Sequence, residues 1–374
     1  MKVVHVINNF SHTSIPVEMA DLMAQKETVD IISLCDLQET AEEMSKMYAI
    51  HCRKIYGCGY KCQKTRAVNL FRKLICEGDY DIIQTHHSLS GYLASKYMYG
   101  KSKAKIVTTI HGNRHSYNFK QNLIASYTLR NVDAIAYNSD TTKKSLLWWQ
   151  RILLRKNTKH QVIYNGVNLR RINECNNSSA FDIKTKYRLP DDAFIIVQVG
   201  RLEPVKNAFA SVKGFESYLK SNPADKNIYF VIVGDGSERT AIEQYINNSA
   251  YLRQRVIMTG LLRREEVYSL MHHINLQIIP SHFEGFCNAL FESLSLGNQV
   301  IVSDILIFKE LLSNVTSIPR FNPKNYDELA SCIKTIRQQE PQENERKIYI
   351  DVASNFSTEV CVDHYLKLYN EIIG

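Results

Sequence analysis

The chain has 374 residues, enough for two domains or one large one, and its 44% hydrophobic and 22% charged residues describe a globular protein with ample core. No stretch approaches the roughly 18–20 uninterrupted apolar residues of a helical membrane span. The net charge of +8 is lopsided, with 23 Lys and Arg against 13 Asp and Glu in residues 1–165 and 23 against 25 in the remainder. A basic first half suits nucleic acid, an anionic membrane face or an anionic small molecule. No nucleic-acid motif accompanies it, so no nucleic-acid partner is expected.

In chain order, residues 2–7 form an apolar strand. The start of the chain is too short and, at Asn8-Asn9, too polar for a signal peptide, so a cytoplasmic protein is expected. Residues 16–25 read as the first helix, with Pro16 near its start, and 30–34 as the second strand. Residues 36–65 are polar and weakly periodic, and predict loops and short helices. Residues 81–85 form a strand ending in His86-His87, 90–99 a helix, and 105–110 a strand ending in His111-Gly112. Another strand at 133–138 leads to Ser139 or Asp140 as the cap of a helix that runs on into SLLWWQRILLRK, residues 145–156. That basic amphipathic stretch suits either a membrane interface or packing against its own domain. The polar residues 173–189 read as an interdomain linker. Strands follow at 193–200, 228–233 and 255–260, then a helix at 265–273. Nine cysteines fit a reducing compartment. Cys52, Cys58 and Cys62 lie near His51 but lack a C-x2-C pair and a second half, so no metal site is expected.

The most informative stretch is 278–306, IIPSHFEGFCNALFESLSLGNQVIVSDIL. An apolar run stops at Pro280-Ser281, a loop carries Glu284, a helical pattern carries Glu292, and a second apolar run spans 299–303. This is the strand, loop, helix and strand of a parallel sheet. Ligands in such sheets bind beyond the carboxyl ends of the strands, where free amides at a helix start suit phosphate. An ionised carboxylate beside them accepts hydrogen bonds from sugar hydroxyls. A nucleotide sugar meets both demands.

The segment PSHFEGFCNALFESLSLGNQVIVSD resembles the Glu-x7-Glu signature of the family 4 glycosyltransferases. The resemblance implies the α/β GT-B fold, two Rossmann-like domains with parallel sheets facing each other across a cleft. Residues 1–172 would form the acceptor-side domain, joined by a last helix within 357–374, and residues 190–356 the nucleotide-sugar domain. It implies that Glu284 faces the donor sugar and Glu292 holds the ribose. The backbone of Gly285, Phe286, Cys287, Asn288, Ala289 and Leu290 would meet the diphosphate. GRLEPVKN, residues 200–207, is similar to the family's Gly-Arg-Leu…Lys-Asn run and assigns Gly200, Arg201 and Lys206 to the phosphates. Two cations at a strand end can stabilise a diphosphate that gains charge as the glycosidic bond breaks. Gly234 and Leu262 take family positions near the nucleotide. TTIHG places His111 beside the donor sugar, whereas for His86 a structural and a site role are both open. The first turn lacks the family's Gly-Gly pair, which falls near Ile15-Pro16, and proline has no N–H to offer. Asn8, Ser11, Thr13 and Ser14 stand in as candidate contacts, and residues 36–65 as a candidate acceptor flap.

The implied function is retaining transfer of a hexose or N-acetylhexosamine from a nucleotide sugar, UDP-linked, to a glycan or lipid-linked acceptor. The implied setting is surface polysaccharide assembly: O-antigen, lipopolysaccharide or capsule. No Asp-x-Asp motif sits at a strand end, and Arg201 and Lys206 can neutralise a diphosphate, so neither metal nor cofactor is expected. The expected place is the cytoplasm, with peripheral contact to the anionic inner face of the membrane. Two other readings stay open: a GT-B nucleotide-sugar epimerase, and a degenerate subunit that binds a glycosyltransferase partner, the latter suggested by the missing glycines.

Overall fold

The structure, a computed structural model, describes residues 1–11, 14–175, 181–339 and 342–374. The chain divides into two compact units, residues 1–167 with 356–374, and residues 168–355.

The first unit holds seven parallel strands: β1 (Lys2–Ile7), β2 (Thr28–Ser33), β3 (Lys54–Gly57), β4 (Ile82–Thr85), β5 (Lys105–Ile110), β6 (Ala134–Tyr137) and β7 (Lys159–Val162). Their order is β3-β2-β1-β4-β5-β6-β7. Alternate residues point to opposite faces, so Val3, Ile31, Ile82 and Val107 enter one apolar cluster, and Val4, Ile32, Ile83 and Ile106 another. Helices cover both faces, which is why the strands read as continuous apolar runs. The chain moves outward from β1 to β3 and then returns to β4. That reversal opens a crevice at the carboxyl ends of β1 and β4.

The helix Thr358–Ile373 belongs to this first unit. Its stripe Cys361, Tyr365, Leu368 and Tyr369 packs into the cluster of Val3, Val17 and Val107. The Tyr369 hydroxyl donates to Gln84 Oε1 at 2.9 Å, and Tyr365 Oη lies 2.7 Å from Thr109 Oγ1. The helix thereby satisfies buried polar groups of β4 and β5 as well as covering apolar ones.

The second unit repeats the plan with β8 (Phe194–Val199), β9 (Ile228–Val233), β10 (Val256–Gly260), β11 (Leu276–Ile279), β12 (Gln299–Ser303) and β13 (Arg320–Phe321). The order is β10-β9-β8-β11-β12-β13, all parallel, with the reversal between β8 and β11. Both units are Rossmann-like.

Three expectations need correction. Residues 36–65 hold a short helix as expected, Gln38–Met47, but it leads to an edge strand that was not expected, β3, which pairs with β2. The glycine ending β3 is needed, because a Cβ on Gly57 would lie 2.3 Å from the Leu37 carbonyl oxygen. The described part of 173–189 is no free linker. Asp182 Oδ1 caps the helix Ile183–Tyr187, and Phe181 and Ile183 are buried against Ile195, Val231 and Leu270. Residues 168–172 accordingly belong to the second unit, not the first. The stretch from 140 to 156 is two helices, Asp140–Lys144 and Trp148–Leu153, not one. Buried Gln150 causes the restart: its Oε1 accepts the Leu147 N–H at 3.2 Å while its Nε2 donates to Ser126 Oγ at 3.2 Å.

Candidate active site

In the second unit the loop after β8 is stitched to the loop after β11. Asn207, in the left-handed region at φ 55°, donates from Nδ2 to the carbonyls of Pro280 (3.1 Å) and Pro323 (3.0 Å). The His282 N–H donates to Val205 O at 2.9 Å. This brings Lys206 Nζ to 2.6 Å from Glu284 Oε1, which also accepts from Ser281 Oγ at 2.7 Å. Burial opposes the Lys206 charge, but the facing Glu284 carboxylate outweighs it and raises the pKa, so the ammonium is fixed in its charged form. The exposed Arg201 works the other way on Lys206, as a like charge within electrostatic reach. Two cations and one carboxylate therefore share the carboxyl ends of the two strands at the reversal.

Glu292 lies inside the helix Asn288–Leu294 and is buried. Burial raises its pKa, and two groups on the helix Arg264–Met271 pull it back: the Arg264 guanidinium at 3.2 Å and the Tyr268 hydroxyl at 3.3 Å. Neither Arg264 nor Tyr268 stood out in the sequence. Their spacing of four puts them on one helix face, but nothing in the sequence shows that the face meets Glu292.

The helix Asn288–Leu294 starts beside the Glu284 loop, and the amides of Asn288 and Ala289 have no acceptor within their own helix. The Leu290 N–H is already given to Cys287 O at 3.2 Å, and its side chain is core. Phe286 stacks on Phe291 at 5.1 Å between centroids. Burial pushes the Cys287 thiol up to about 12, so it is a neutral filler beside Glu284 rather than a nucleophile. Gly234 and Gly200 mark a close approach of two loops: a Cβ on Gly234 would lie 1.9 Å from the Gly200 oxygen. Leu262 packs against the cluster around Val199 and Val233, whereas its neighbour Leu261 is exposed.

In the first unit the ends of β4 and β5 carry a row of imidazoles. His5 Nδ1 is 3.1 Å from His86 Nε2, and His86 Nδ1 is 3.4 Å from His111 Nε2, with the rings stacked. Burial drives His5 down to about 3, His86 well below the usual histidine range, and His111 to about 4. All three are neutral at physiological pH. His111 is further held by the Asn138 Nδ2–H on its carbonyl at 3.0 Å and by the Asn165 side chain on its ring. His5 was not singled out in the sequence, since a histidine in mid-strand carries no signal of its own.

His86, His111 and Asn8 line a cavity of about 410 Å³, together with Ile15 and Pro16 at the start of the helix Ile15–Met23. Asn8 Oδ1 is buried there without a partner. Ser14 gives its hydroxyl to Ser11 O at 2.8 Å, so these two serines shape the turn. Thr13 lies outside the described residues. Among the described residues no three His, Cys, Asp or Glu side chains converge as metal ligands would, and no helix is long and apolar enough to cross a membrane.

Comparison with known proteins agrees with this layout. Residues 17–171 match the family model described as Glycosyltransferase Family 4, and residues 179–353 the model described as Glycosyl transferases group 1. An O-antigen biosynthesis glycosyltransferase of Escherichia coli, WclY, is 26% identical over 280 residues, covering 72% of this chain and 73% of its own. A UDP-Gal:alpha-D-GlcNAc-diphosphoundecaprenol alpha-1,3-galactosyltransferase of E. coli is 28% identical over 244 residues, 62% of this chain and 60% of that one. Among solved structures, Anabaena Alr3699/HepE in complex with UDP superposes with a TM-score of 0.79 at 15% identity, covering 99% of this chain and 100% of that one. A glycosyltransferase from Rickettsia africae ESF-5 gives 0.79 at 20% identity, covering 100% and 98%.

Proposed function

This chain belongs to the family 4 glycosyltransferases of GT-B fold and is a hexosyltransferase, and from that premise we propose that it transfers a hexose or N-acetylhexosamine from a UDP-sugar to a glycan or lipid-linked acceptor, with retention of configuration and without a metal. The observation that carries the reading is the Lys206–Glu284 pair with Arg201 beside it, at the strand ends where a nucleotide diphosphate would lie. Arg201 and Lys206 offset the charge that grows on the leaving diphosphate. Glu284 accepts hydrogen bonds from the donor sugar's hydroxyls, and Glu292, held by Arg264 and Tyr268, accepts from the ribose. No carboxylate is presented as a nucleophile. In the step we propose, the bond from anomeric carbon to phosphate oxygen breaks as the acceptor oxygen bonds on the same face. The departing oxygen takes the acceptor's proton. Neutral His111 and Asn165 in the first unit offer hydrogen bonds to further hydroxyls.

The UDP donor and the O-antigen or related surface-polysaccharide setting are supported by what the E. coli relatives and the Anabaena structure are named for. Peripheral attachment to an anionic membrane is supported by two exposed apolar stripes on adjoining helices. Phe119, Leu123 and Tyr127 lie on the helix Phe119–Arg130, and Trp148 and Ile152 on Trp148–Leu153. Residues 119–156 hold seven Lys and Arg against two Asp, so the surroundings favour anionic headgroups.

The test is a thermal-shift panel with UDP, GDP and ADP and their sugar conjugates, followed by transfer assays with the sugar that binds. A selective rise with one UDP-sugar, since a native-state ligand stabilises by mass action, is the expected result. Absence of any shift would favour the degenerate-subunit reading. Release of a free epimerised sugar nucleotide would favour the epimerase.

A further inference from the structure

Arg114 follows β5 by four residues, in a 3-10 turn, and its side chain is buried at 7% exposure. Its backbone is locked from two sides: the N–H donates to Ser145 Oγ at 3.1 Å, and the carbonyl accepts from Asn122 Nδ2 at 3.1 Å. Its guanidinium is not compensated in the usual way. Among the described residues it forms no ion pair, and its Nε is buried without a hydrogen-bond partner. Burial works against its charge, and the groups that favour that charge are the Tyr117 and Tyr137 side chains rather than any carboxylate. The Tyr117 ring lies under it at 5.2 Å. An aromatic face recovers only part of what taking a cation out of water costs. A buried cation with donors to spare is the signature of a site awaiting an anion.

Its surroundings say what kind. Arg114 lines the cavity of about 410 Å³ that His86, His111, Asn8 and Asn165 also line. Among the described residues no Asp, Glu or Lys is in that lining, and burial lowers the pKa of all three of its imidazoles, His86, His87 and His111, so Arg114 supplies the one full charge among them. The rest of the polar lining is amide, hydroxyl and imidazole, matched to sugar hydroxyls, beside the apolar Ile15, Pro16, Ile110, Ala125 and Leu129. We propose that Arg114 binds a phosphoryl oxyanion attached to a sugar in this cavity, an inference that rests on the glycosyl-transfer reading above. The planar fork of its guanidinium fits two phosphate oxygens at once. The phosphoryl group has two possible sources, the sugar phosphate of an acceptor or the diphosphate of the donor.

The test is calorimetric titration of the full chain with glucose 1-phosphate, glucose, inorganic phosphate and UDP, for the wild type, Arg114→Gln and Arg114→Lys. The wild type is expected to bind glucose 1-phosphate about tenfold or more tightly than glucose. Arg114→Gln should erase that preference, and Arg114→Lys should keep part of it. Because the buried charge serves a ligand and not the fold, ligand-free Arg114→Gln should melt no lower than the wild type. Unchanged UDP affinity in Arg114→Gln assigns the anion to the acceptor, and a matching loss of UDP affinity assigns it to the donor. Equal binding of glucose and glucose 1-phosphate by the wild type would overturn the proposal, whether or not the variants fold. So would an intact preference in Arg114→Gln. Failure of the wild type to bind UDP would instead count against glycosyl transfer, and leaves the comparison of the two sugars as an independent reading of Arg114.

Discussion

At the scale of single residues, the most unusual feature is three imidazoles stacked in a row, two of them buried. His5 and His86 are both almost wholly buried and stay neutral in the folded chain, whereas unfolded histidine takes up a proton near pH 6.5. Below pH 6.5 the unfolded state therefore binds more protons, and stability falls as the pH drops from there toward the depressed folded values. At pH 5.5 each of the two costs on the order of 1 kcal/mol. The melting temperature should decline between pH 7.5 and 5.5, and His5→Asn should flatten that slope whatever it does to the absolute value. An unchanged slope would mean these rings do not titrate on unfolding. Glu292 gives a second expectation. Glu292→Ala should weaken UDP-sugar binding about tenfold or more in titration, with a smaller effect on turnover. It also removes the bond between Glu292 and Arg264, at a cost of roughly 2 kcal/mol in denaturant unfolding, less than for a fully buried pair because Arg264 keeps 31% of its side chain exposed. Lys206→Ala is expected to act mainly on turnover, because its partner charge grows in the transition state. Normal turnover in that variant would remove it from the phosphate role.

At the scale of elements, glycines set how closely the loops approach. Gly234→Ala places a Cβ 1.9 Å from Gly200 O at a φ of 137°, and no flexible side chain can yield there. A loss of several kcal/mol in unfolding free energy is expected, without any ligand present. The paired stripes make a different kind of prediction: Trp148→Ser with Ile152→Ser should reduce sedimentation with vesicles rich in anionic lipid, while UDP affinity stays the same. These elements also show what was readable in advance. The central strands were legible because burial on both faces leaves long apolar runs, and β1, β5, β9 and β12 begin and end at the expected residues. The edge strand β3 was not, since KIYG is short and half exposed, and edge pairing needs only one neighbour. The Lys206–Glu284 contact spans 78 positions and was legible only through the resemblance of the two segments that carry it. Arg264, Tyr268, His5 and Arg114 had no such guide. Each acquires its role from a partner brought by the fold, and no spacing within its own element announces it.

At the scale of the molecule, the helix Thr358–Ile373 matters more than its length suggests. It buries Cys361, Val362, Tyr365, Leu368 and Tyr369 in the first unit. At roughly 1.5–3 kcal/mol for each large apolar side chain, this contribution rivals the ~5–15 kcal/mol that separates a typical folded domain from its unfolded chain. Removing residues 356–374 should therefore unfold the first unit, taking from Gln84 Oε1 and Thr109 Oγ1 their bonds to Tyr369 and Tyr365, while the parallel sheet of residues 168–355 persists. Circular dichroism and limited proteolysis of the truncated chain would show this; full retention of first-unit protection would contradict it. The same arrangement orders events on the ribosome. Residues 1–167 emerge before the second unit, yet one wall of their core is translated after it. The later-made unit is thus the one free to settle first. A newly made chain would carry its first unit incomplete throughout the synthesis of the second, dependent on whatever shelters it until the closing helix arrives.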